Sequence, residues 1–306
     1  MIYQKKTPLA LGVLVAACAA TPALAKDDQP WSLTVKAGVE YDSNVTVEQT
    51  DVTTNVGDSL LNLGVEAGYK LIDNKNGDKL SIAYDFSQSL HQDLTDFDIQ
   101  SHSGTISGAT EVAGATLGMS YSFYHLLLGG DRFLDMQVLN PSVSGFIAPN
   151  VYARGAYSYF DKNFKVANDR DAENHQGAAD LYYFFNNSRS YFTVGGRYET
   201  ENAVGPEFDY DGFALNANVQ FPLMLTGDKG KINLGYAYRK RDYDNVTPSL
   251  GEKRHENRST FKAMAETPLI KALSLRVEYQ YTDRNSNYLP SNYTENLVNG
   301  TLSYRF

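Results

Sequence analysis

Cysteine and tryptophan each occur only once in this chain of 306 residues. A single cysteine cannot form a disulfide within the chain, so the fold depends on non-covalent contacts alone. Positive charge is also scarce, since 27 Lys and Arg stand against 36 Asp and Glu, for a formal net charge of -9. This acidic balance argues against nucleic acid as a partner, because nucleic-acid phosphates bind clusters of Lys and Arg.

Long apolar runs are missing after the N-terminal region, and the mean hydropathy is -0.39. Since a membrane-spanning helix needs about 20 consecutive apolar residues, a helical membrane protein is excluded. Aromatic residues are abundant, with 22 Tyr and 15 Phe. A membrane β-barrel is compatible with this composition, because its strands mix apolar and polar positions and produce no hydropathy peak. The length fits either two soluble domains or one large barrel.

The N-terminal region has the order of a secretory signal peptide. A pair of lysines precedes an apolar run, and small residues follow down to Ala25. We therefore predict a signal peptide over residues 1–25 and a mature domain over residues 26–306. An alternative is that Cys18, which follows Val-Ala-Ala, belongs to a lipobox-like sequence and is lipidated as the mature N-terminus.

Strict alternation begins at Trp31. From Trp31 to Asp42 every odd position is apolar or aromatic and every even position is polar or glycine. A period of two is typical of a strand with one apolar face. The same pattern predicts fourteen strands, at 31–42, 61–71, 80–86, 97–110, 115–127, 133–145, 150–160, 175–185, 190–200, 210–221, 231–241, 257–266, 272–283 and 294–306.

The connections between these strands fall into two classes. Long polar connections are expected at 43–57, 161–174, 201–209, 242–256 and 284–293, and short turns at 73–78, 111–114, 146–149, 186–189 and 267–271. Outer-membrane barrels have short periplasmic turns and longer extracellular loops. We therefore predict an all-β fold, a closed antiparallel transmembrane β-barrel of about 14 strands. Such a barrel leaves a narrow aqueous lumen, unless a loop enters it.

Pro141 is the one proline that falls inside a predicted strand, the sixth. Proline lacks the N–H that a ladder hydrogen bond requires. We therefore expect a bulge or a break in the strand at this position.

Alternation alone does not decide whether the apolar face lines a dry core or meets lipid. Tyrosines near strand ends, such as Tyr41 and Tyr281, suit the aromatic belts of a membrane protein, although a soluble β-sandwich could also carry Tyr at its margins. Numerous charges on the polar face suit a water-filled lumen. The candidate pore-lining residues are Glu40, Glu66, Asp85, Arg197, Arg239, Arg241, Lys262, Arg276 and Glu278.

Two arrangements of these charges are open. Acids lie in the first three predicted strands and most bases in strands eleven to thirteen, so separate sectors of the wall could create a transverse field across the pore. Alternatively, charges pair between adjacent strands, as Arg276 could with Glu266, and keep the lumen hydrated and rigid.

The chain ends with apolar residues at alternate positions, among them Leu302, Tyr304 and Phe306. This ending resembles the C-terminal assembly signal of bacterial outer-membrane barrels. The segments Tyr41-Asp42-Ser43-Asn44-Val45 and Arg284-Asn285-Ser286-Asn287-Tyr288 resemble outer-membrane barrels related to the barrel domain of surface lipoprotein assembly modifiers and to barrels near exopolysaccharide export loci. The resemblance implies a Gram-negative outer membrane, contact with the lipid bilayer and lipopolysaccharide, and insertion by the outer-membrane assembly machinery.

Sites for catalysis or metal binding have weak support in the sequence. His102-Ser103-Gly104 could begin a lipase-like or deacylase-like site, but the companion Asn and Gly do not follow. We interpret His91, His175 and His255 as solvated residues at loop edges, and His102 and His125 as interfacial. The acidic stretch 168–174 lacks the glycine and the terminal Glu spacing of an EF-hand loop. We expect no enzyme activity, no metal and no cofactor.

The function that the sequence favours is a porin-like outer-membrane channel for transport of small hydrophilic solutes by diffusion. The alternative is an assembly or export component, serving surface lipoprotein or polysaccharide export, without a general pore function.

Overall fold

The computed structural model describes residues 29–223 and 230–306. The predicted signal peptide with Cys18, and the connection at 224–229, lie outside the described residues. The strands are β1 (Trp31–Asp42), β2 (Thr46–Val47), β3 (Val52–Thr53), β4 (Asp58–Asp73), β5 (Lys79–His91), β6 (Ile99–Val112), β7 (Ala115–Leu128), β8 (Asp131–Ala148), β9 (Val151–Phe164), β10 (Ala172–Phe185), β11 (Ser190–Ala203), β12 (Tyr210–Leu223), β13 (Gly230–Thr247), β14 (Glu252–Pro268), β15 (Leu273–Ser286) and β16 (Tyr293–Arg305).

Fourteen of these strands form one closed antiparallel barrel. Each strand pairs with its neighbour in sequence, and β1 closes the ring by pairing with both β4 and β16. Val39, for example, lies opposite Leu61 on one side and Gly300 on the other. The two short strands β2 and β3 form a separate hairpin inside the connection between β1 and β4. The predicted fold class is therefore confirmed.

None of the helices within residues 29–223 and 230–306 has the length and apolar character that crossing a membrane requires.

The predicted loop at 242–256 is wrong. β13 continues to Thr247 and β14 begins at Glu252, so only residues 248–251 connect them, and the register of the pair shifts between Asp242 and Val246. Strand ends that project beyond lipid meet water on both faces, so they keep ladder hydrogen bonds without apolar alternation. The connection between β7 and β8 is shorter still, the pair Gly129-Gly130 with φ of 59° and 88°.

Pro141 interrupts the ladder without shifting its register. It still lies opposite Met119 of β7, but β8 and β9 have no paired residues between Leu139 and Ser142. The side chain of Asn140 donates to the carbonyl oxygen of Tyr157 at 2.9 Å. It thereby supplies a donor in the stretch where proline has none. The expected break is present, and no bulge accompanies it at this position.

Three loops on one rim share a construction. A 3-10 turn ends in an aspartate, and this aspartate accepts a hydrogen bond from the backbone N–H at the end of the preceding strand. Asp98 bonds to His91 at 2.6 Å, Asp171 to Phe164 at 2.5 Å, and Asp209 to Ala203 at 2.7 Å. These contacts fold the loops tightly onto the rim.

Candidate functional site: the lumen and the first loop

Apolar side chains form the outer face of the barrel. Val39, Met119 and Tyr198 expose 61%, 54% and 54% of their surface, and the belt residues Tyr41 and Tyr281 lie on the same face. Soluble proteins rarely expose apolar surface so continuously, whereas a lipid-facing wall requires it.

All nine candidate pore-lining residues occupy the opposite face, which is the inner wall. Strand register gives this placement, since Glu66 lies opposite Thr34 and Asp85, while Arg239 lies opposite Ala214 and Arg258. The nine residues are Glu40, Glu66, Asp85, Arg197, Arg239, Arg241, Lys262, Arg276 and Glu278.

Most of these charges have a partner on a neighbouring strand. Arg276 contacts Glu266 through both Nε and Nη2, at 3.0 and 2.8 Å. Three further pairs span adjacent or next-nearest strands, and they are Lys36 with Glu66, Lys262 with Glu278 at 3.0 Å, and Arg241 with Glu199 at 3.0 Å. These local ion pairs therefore neutralise much of the charge that would otherwise divide the wall into an acidic and a basic sector.

Glu40 and Arg197 differ in their surroundings. Glu40 is buried and accepts hydrogen bonds from Asn62 at 3.0 Å and Asn299 at 2.5 Å. Arg197 makes no hydrogen bond or ion pair with residues 29–223 or 230–306. Its neighbours in the ladder on the inner wall are Ala178 and Ala214, so no charged side chain of the adjacent strands lies directly opposite it.

The connection at 43–57, here called the first loop, lies across the interior of the barrel. On one side Val47, which is fully buried, packs in a cluster with apolar residues of β7 to β9. On the other side Asp51 binds arginines of β14 and β15. These two groups of strands are nearly opposite in the ring, so the loop spans the lumen. The cluster around Val47 consists of Leu126, Phe133, Leu134 and Phe164.

Asp51 lies among three guanidinium groups. Its carboxylate accepts hydrogen bonds from Arg284 at 2.6 Å, from Arg254 Nη1 at 3.0 Å and from Arg170 at 2.9 Å, and Arg254 Nη2 forms an ion pair with it at 2.8 Å. Arg254 and Arg284 are themselves almost completely buried. Their charges are balanced by Asp51 and by Glu256, which accepts from Arg254 Nε and Arg284 Nη2, both at 2.7 Å.

Glu48 forms a second attachment on the same wall. It binds Arg258 at 2.6 Å and also contacts Arg239. We call the five arginines that hold Glu48 and Asp51 the arginine clamp; they are Arg170, Arg239, Arg254, Arg258 and Arg284.

Charge in the clamp keeps both loop acids ionised. Burial raises the pKa of Asp51, but the adjacent Arg254, Arg284 and Arg170 outweigh burial and hold that pKa well below its usual range. The same balance applies to Glu48, where burial opposes ionisation and Arg258 and Arg239 lower the pKa well below its usual value. Carboxylates so stabilised act as permanent charges at ordinary pH.

Aromatic rings surround the clamp. The guanidinium carbon of Arg254 lies 4.5 Å from the ring centroid of Tyr243 and 5.0 Å from that of Tyr288. Arg170 lies 4.0 Å from the ring of Phe208. Such contacts favour a desolvated cation, so the rings help these arginines to remain charged away from water.

Sequence reasoning missed the clamp, although part of its signal was present. Arg254 and Arg258 share the even positions of Lys262 on β14, and Arg284 shares those of Arg276 on β15. Extending the inner-wall pattern toward the rim would have found them. The pairing of these arginines with Glu48 and Asp51 of the first loop leaves no periodic pattern in the sequence.

The histidines do not form a catalytic group with Ser103. His102 and Ser103 are neighbours in one strand and therefore point to opposite faces. His102 contacts Tyr84 at 2.7 Å on the outer face, and Ser103 is buried on the inner one. The interpretation of His91 as solvated is wrong, because it is buried, and its Nδ1 lies 3.1 Å from Asp98.

The acidic stretch at 168–174 does not converge on one point. Asp171 accepts from the N–H of Phe164, and Asn174 donates to Glu201 at 3.1 Å. In the part of the chain that the structure describes, no group of three or more His, Cys, Asp or Glu side chains could hold a metal ion.

The C-terminal residues lie on the outer face at the seam of the barrel. Leu302 pairs with Ala37 and Tyr304 with Val35, and both side chains are exposed. The backbone N–H of Phe306 donates to the carbonyl oxygen of Leu33 at 3.0 Å, and its ring lies 4.8 Å from that of Tyr304.

No protein-family model and no curated protein matches the sequence. Solved structures do match it. A loop L8 deletion mutant of OmpT, an outer membrane protein of Vibrio cholerae, has a TM-score of 0.54 at 13% identity, with 90% of this chain and 99% of that chain covered. In-vitro folded OmpT in its trimer form has a TM-score of 0.52 at 12% identity, with the same coverage. An anion-selective porin from Comamonas acidovorans has a TM-score of 0.50 at 10% identity, covering 90% and 98%.

At these identities the similarity shows the fold. The closed barrel and its lipid-facing outer surface agree with that fold. The chain is an outer-membrane β-barrel with porin-like structural neighbours.

Proposed function

We propose that the barrel forms a narrow aqueous channel through which small hydrophilic solutes diffuse across the outer membrane. The observation that carries the proposal is a closed fourteen-stranded ring with a charged inner wall, crossed by one inserted loop. Barrels of about 8 strands are filled by their own side chains, and those of 16 to 18 leave an open channel. Fourteen strands lie between these limits.

The first loop sets the width of this channel. It is attached to the inner wall by Val47 on one side and by Glu48 and Asp51 on the other. Because its anchors are buried, the loop is a fixed constriction. Solutes pass beside it along the charged wall, where the nine candidate residues tune ion preference.

Planar-bilayer recording of the purified protein tests the channel. Wild-type protein is expected to give stable conductance steps, and a variant with residues 46–54 replaced by a short Gly-Ser linker is expected to give larger ones. No steps from either protein would overturn the proposal.

Ion preference tests the role of the inner wall. Arg197→Glu changes a charge that has no ion-pair partner among the described residues, and it is expected to shift the reversal potential in a KCl gradient toward cation preference. The matched control is Lys240→Glu, since Lys240 lies on the outer face and contacts Asp242. Equal shifts for both variants would contradict a pore-lining role for Arg197.

The second candidate is an assembly or export component without a general pore. The feature that favours it is the first loop itself, since a loop held across the lumen could close it. In that case wild-type protein gives no steps and only the loop-shortened variant conducts.

Other expectations belong to the same proposal. The outer face contacts lipid and lipopolysaccharide, Leu302, Tyr304 and Phe306 act as a signal for the outer-membrane assembly machinery, and the barrel acts as a channel without catalytic activity. Substituting Phe306 by Ser is expected to lower the amount of assembled, heat-modifiable protein in the outer membrane, and unchanged assembly would contradict that role.

A further inference from the structure

Five aromatic rings form a closed circuit on the inner wall near the short turns. The ring centroids of Phe146 and Tyr152 are 5.2 Å apart, and those of Tyr152 and Tyr182 are 6.0 Å apart. Tyr191 lies 6.1 Å from Tyr182 and 5.9 Å from Phe184, which in turn lies 6.0 Å from Phe146. Each ring therefore contacts two others, and together they span β8 to β11. We call these five residues the aromatic circuit.

Strand register places the circuit inside the barrel. Tyr152 pairs with Phe146 and Tyr182, and Tyr182 lies two residues from Asp180, which pairs with the inner-wall residue Arg154. The adjacent residue Tyr183 lies on the opposite, lipid-facing side with 48% of its surface exposed. The circuit is thus distinct from the lipid-facing belts.

The circuit is not a sealed core. All five rings remain at least partly accessible, and Phe146 exposes 63% of its surface. Exposed aromatic surface facing an aqueous interior is unfavourable unless something covers it. Such a patch indicates a surface on which a solute binds.

Polar groups beside the rings indicate the chemistry of that solute. Arg154 and Asp180 flank Tyr152 and Tyr182 on the same wall, and their nearest charged atoms are 3.9 Å apart, too far for a hydrogen bond. Within residues 29–223 and 230–306, Arg154 makes one hydrogen bond, to Asn140 at 3.3 Å, so most of its donors have no partner among the described residues. The Tyr182 hydroxyl makes no hydrogen bond within residues 29–223 and 230–306. Donors and acceptors are therefore available beside an aromatic platform.

We propose that the aromatic circuit, together with Arg154 and Asp180, binds saccharides. One face of a pyranose ring presents C–H groups that stack on aromatic rings, while its hydroxyls both donate and accept hydrogen bonds. The site offers aromatic rings for the C–H face and the polar groups of Arg154 and Asp180 for the hydroxyls. Arg154 and Asp180 form a loose ion pair at 3.9 Å, and a purely apolar solute would leave their remaining donors and acceptors without partners, whereas the carboxylate of Asp180 disfavours a phosphorylated solute. The inference extends the proposed channel function by naming a class of solute.

Equilibrium binding tests the site without requiring conductance. Protein is purified in an amine-oxide detergent, which has no sugar headgroup, and titrated calorimetrically with maltohexaose, chitotetraose and galacto-oligosaccharides. Wild-type protein is expected to bind at least one of them. Tyr182→Ala is expected to weaken that binding at least about tenfold, equivalent to about 1.4 kcal/mol.

Two matched variants separate stacking from general disruption. Tyr182→Phe keeps the ring and is expected to stay within about fivefold of wild type, which corresponds to the loss of one hydrogen bond of about 1 kcal/mol. Tyr183→Ala removes a lipid-facing ring from the same strand and is expected to leave binding unchanged. Each variant is first checked for heat-modifiable migration, which reports a folded barrel.

Two results would overturn the inference. One is the absence of binding to every saccharide in the panel by folded wild-type protein. The other is binding that Tyr182→Ala and Tyr191→Ala leave unchanged, or that Tyr183→Ala weakens equally. If binding is found but bilayers show no conductance, the saccharide site stands and the open-channel proposal fails.

Discussion

Removing the charge of Asp51 should release the first loop from the lumen. Asp51→Asn keeps the size and shape of the side chain but removes the negative charge that three guanidinium groups share. Two of these, Arg254 and Arg284, have side chains only 2% exposed. They would be left with Glu256 as their one remaining acidic partner in the described structure.

The size of the effect follows from this burial. Breaking a buried ion pair by removing one partner costs about 3–5 kcal/mol. The fourteen-stranded ladder does not depend on Asp51, so this cost falls on the equilibrium between inserted and released loop. Since each 1.4 kcal/mol changes an equilibrium tenfold, a cost of about 3 kcal/mol raises the released population about a hundredfold.

Cysteine labelling measures that population. Val45→Cys introduces a thiol at a position of the first loop that is fully buried while the loop is inserted. The single natural cysteine, Cys18, lies in the predicted signal peptide. The rate of reaction with a charged maleimide follows the released fraction when opening is fast relative to labelling. Adding Asp51→Asn to this background is expected to accelerate labelling about a hundredfold.

The control is Asp93→Asn in the same background, because Asp93 is exposed on another loop. This change is expected to leave the labelling rate unaltered. If Asp51→Asn labels no faster than the parent while its barrel remains heat-modifiable, the clamp does not hold the loop.

Three further predictions concern the same architecture. The pKa of Asp51 is lower in the folded protein than the unfolded value of about 3.9, so its stabilisation of the inserted loop is complete above about pH 5 and declines progressively in stronger acid. Val45→Cys labelling should therefore be constant from pH 8 to 5 after correction for thiolate content, and acceleration near pH 6 would contradict this. Val47→Ala removes apolar contacts from a buried cluster at a cost of about 2 kcal/mol, which should speed labelling about thirtyfold; an unchanged rate would show that the apolar anchor is dispensable. Asn140→Ala leaves the Tyr157 carbonyl without its side-chain donor, so the urea midpoint of barrel unfolding should fall by the equivalent of about 1 kcal/mol, and no shift would show that another donor replaces it.

The barrel could be predicted because its main signal is local. Alternation of apolar and polar residues over short segments fixes strand number and the two faces, and Trp31–Asp42 was located to the residue. The strand ends at 242–256 were missed because alternation stops where both faces meet water, although the ladder continues.

The lumen could be predicted only in part. The register places the candidate charges on the inner wall, but the partner of Asp51 is set by the closed ring, which brings together residues more than 200 positions apart. The aromatic circuit was hidden for another reason. In the run Tyr182 to Phe185 aromatic residues occupy both faces, so the sequence gives no contrast between lipid and lumen.

The separation between the first loop and its clamp has a consequence for the order of folding. Asp51 lies 203 positions before Arg254 and 233 before Arg284. Contacts of such sequence separation form late, because the chain between them must first be ordered. The inner surface that holds the loop exists only after β14 and β15 are in place. The first loop, although it is synthesised before most of the barrel, therefore reaches its final position late. The loop can therefore reach its inserted position only after the last strands of the barrel have been added.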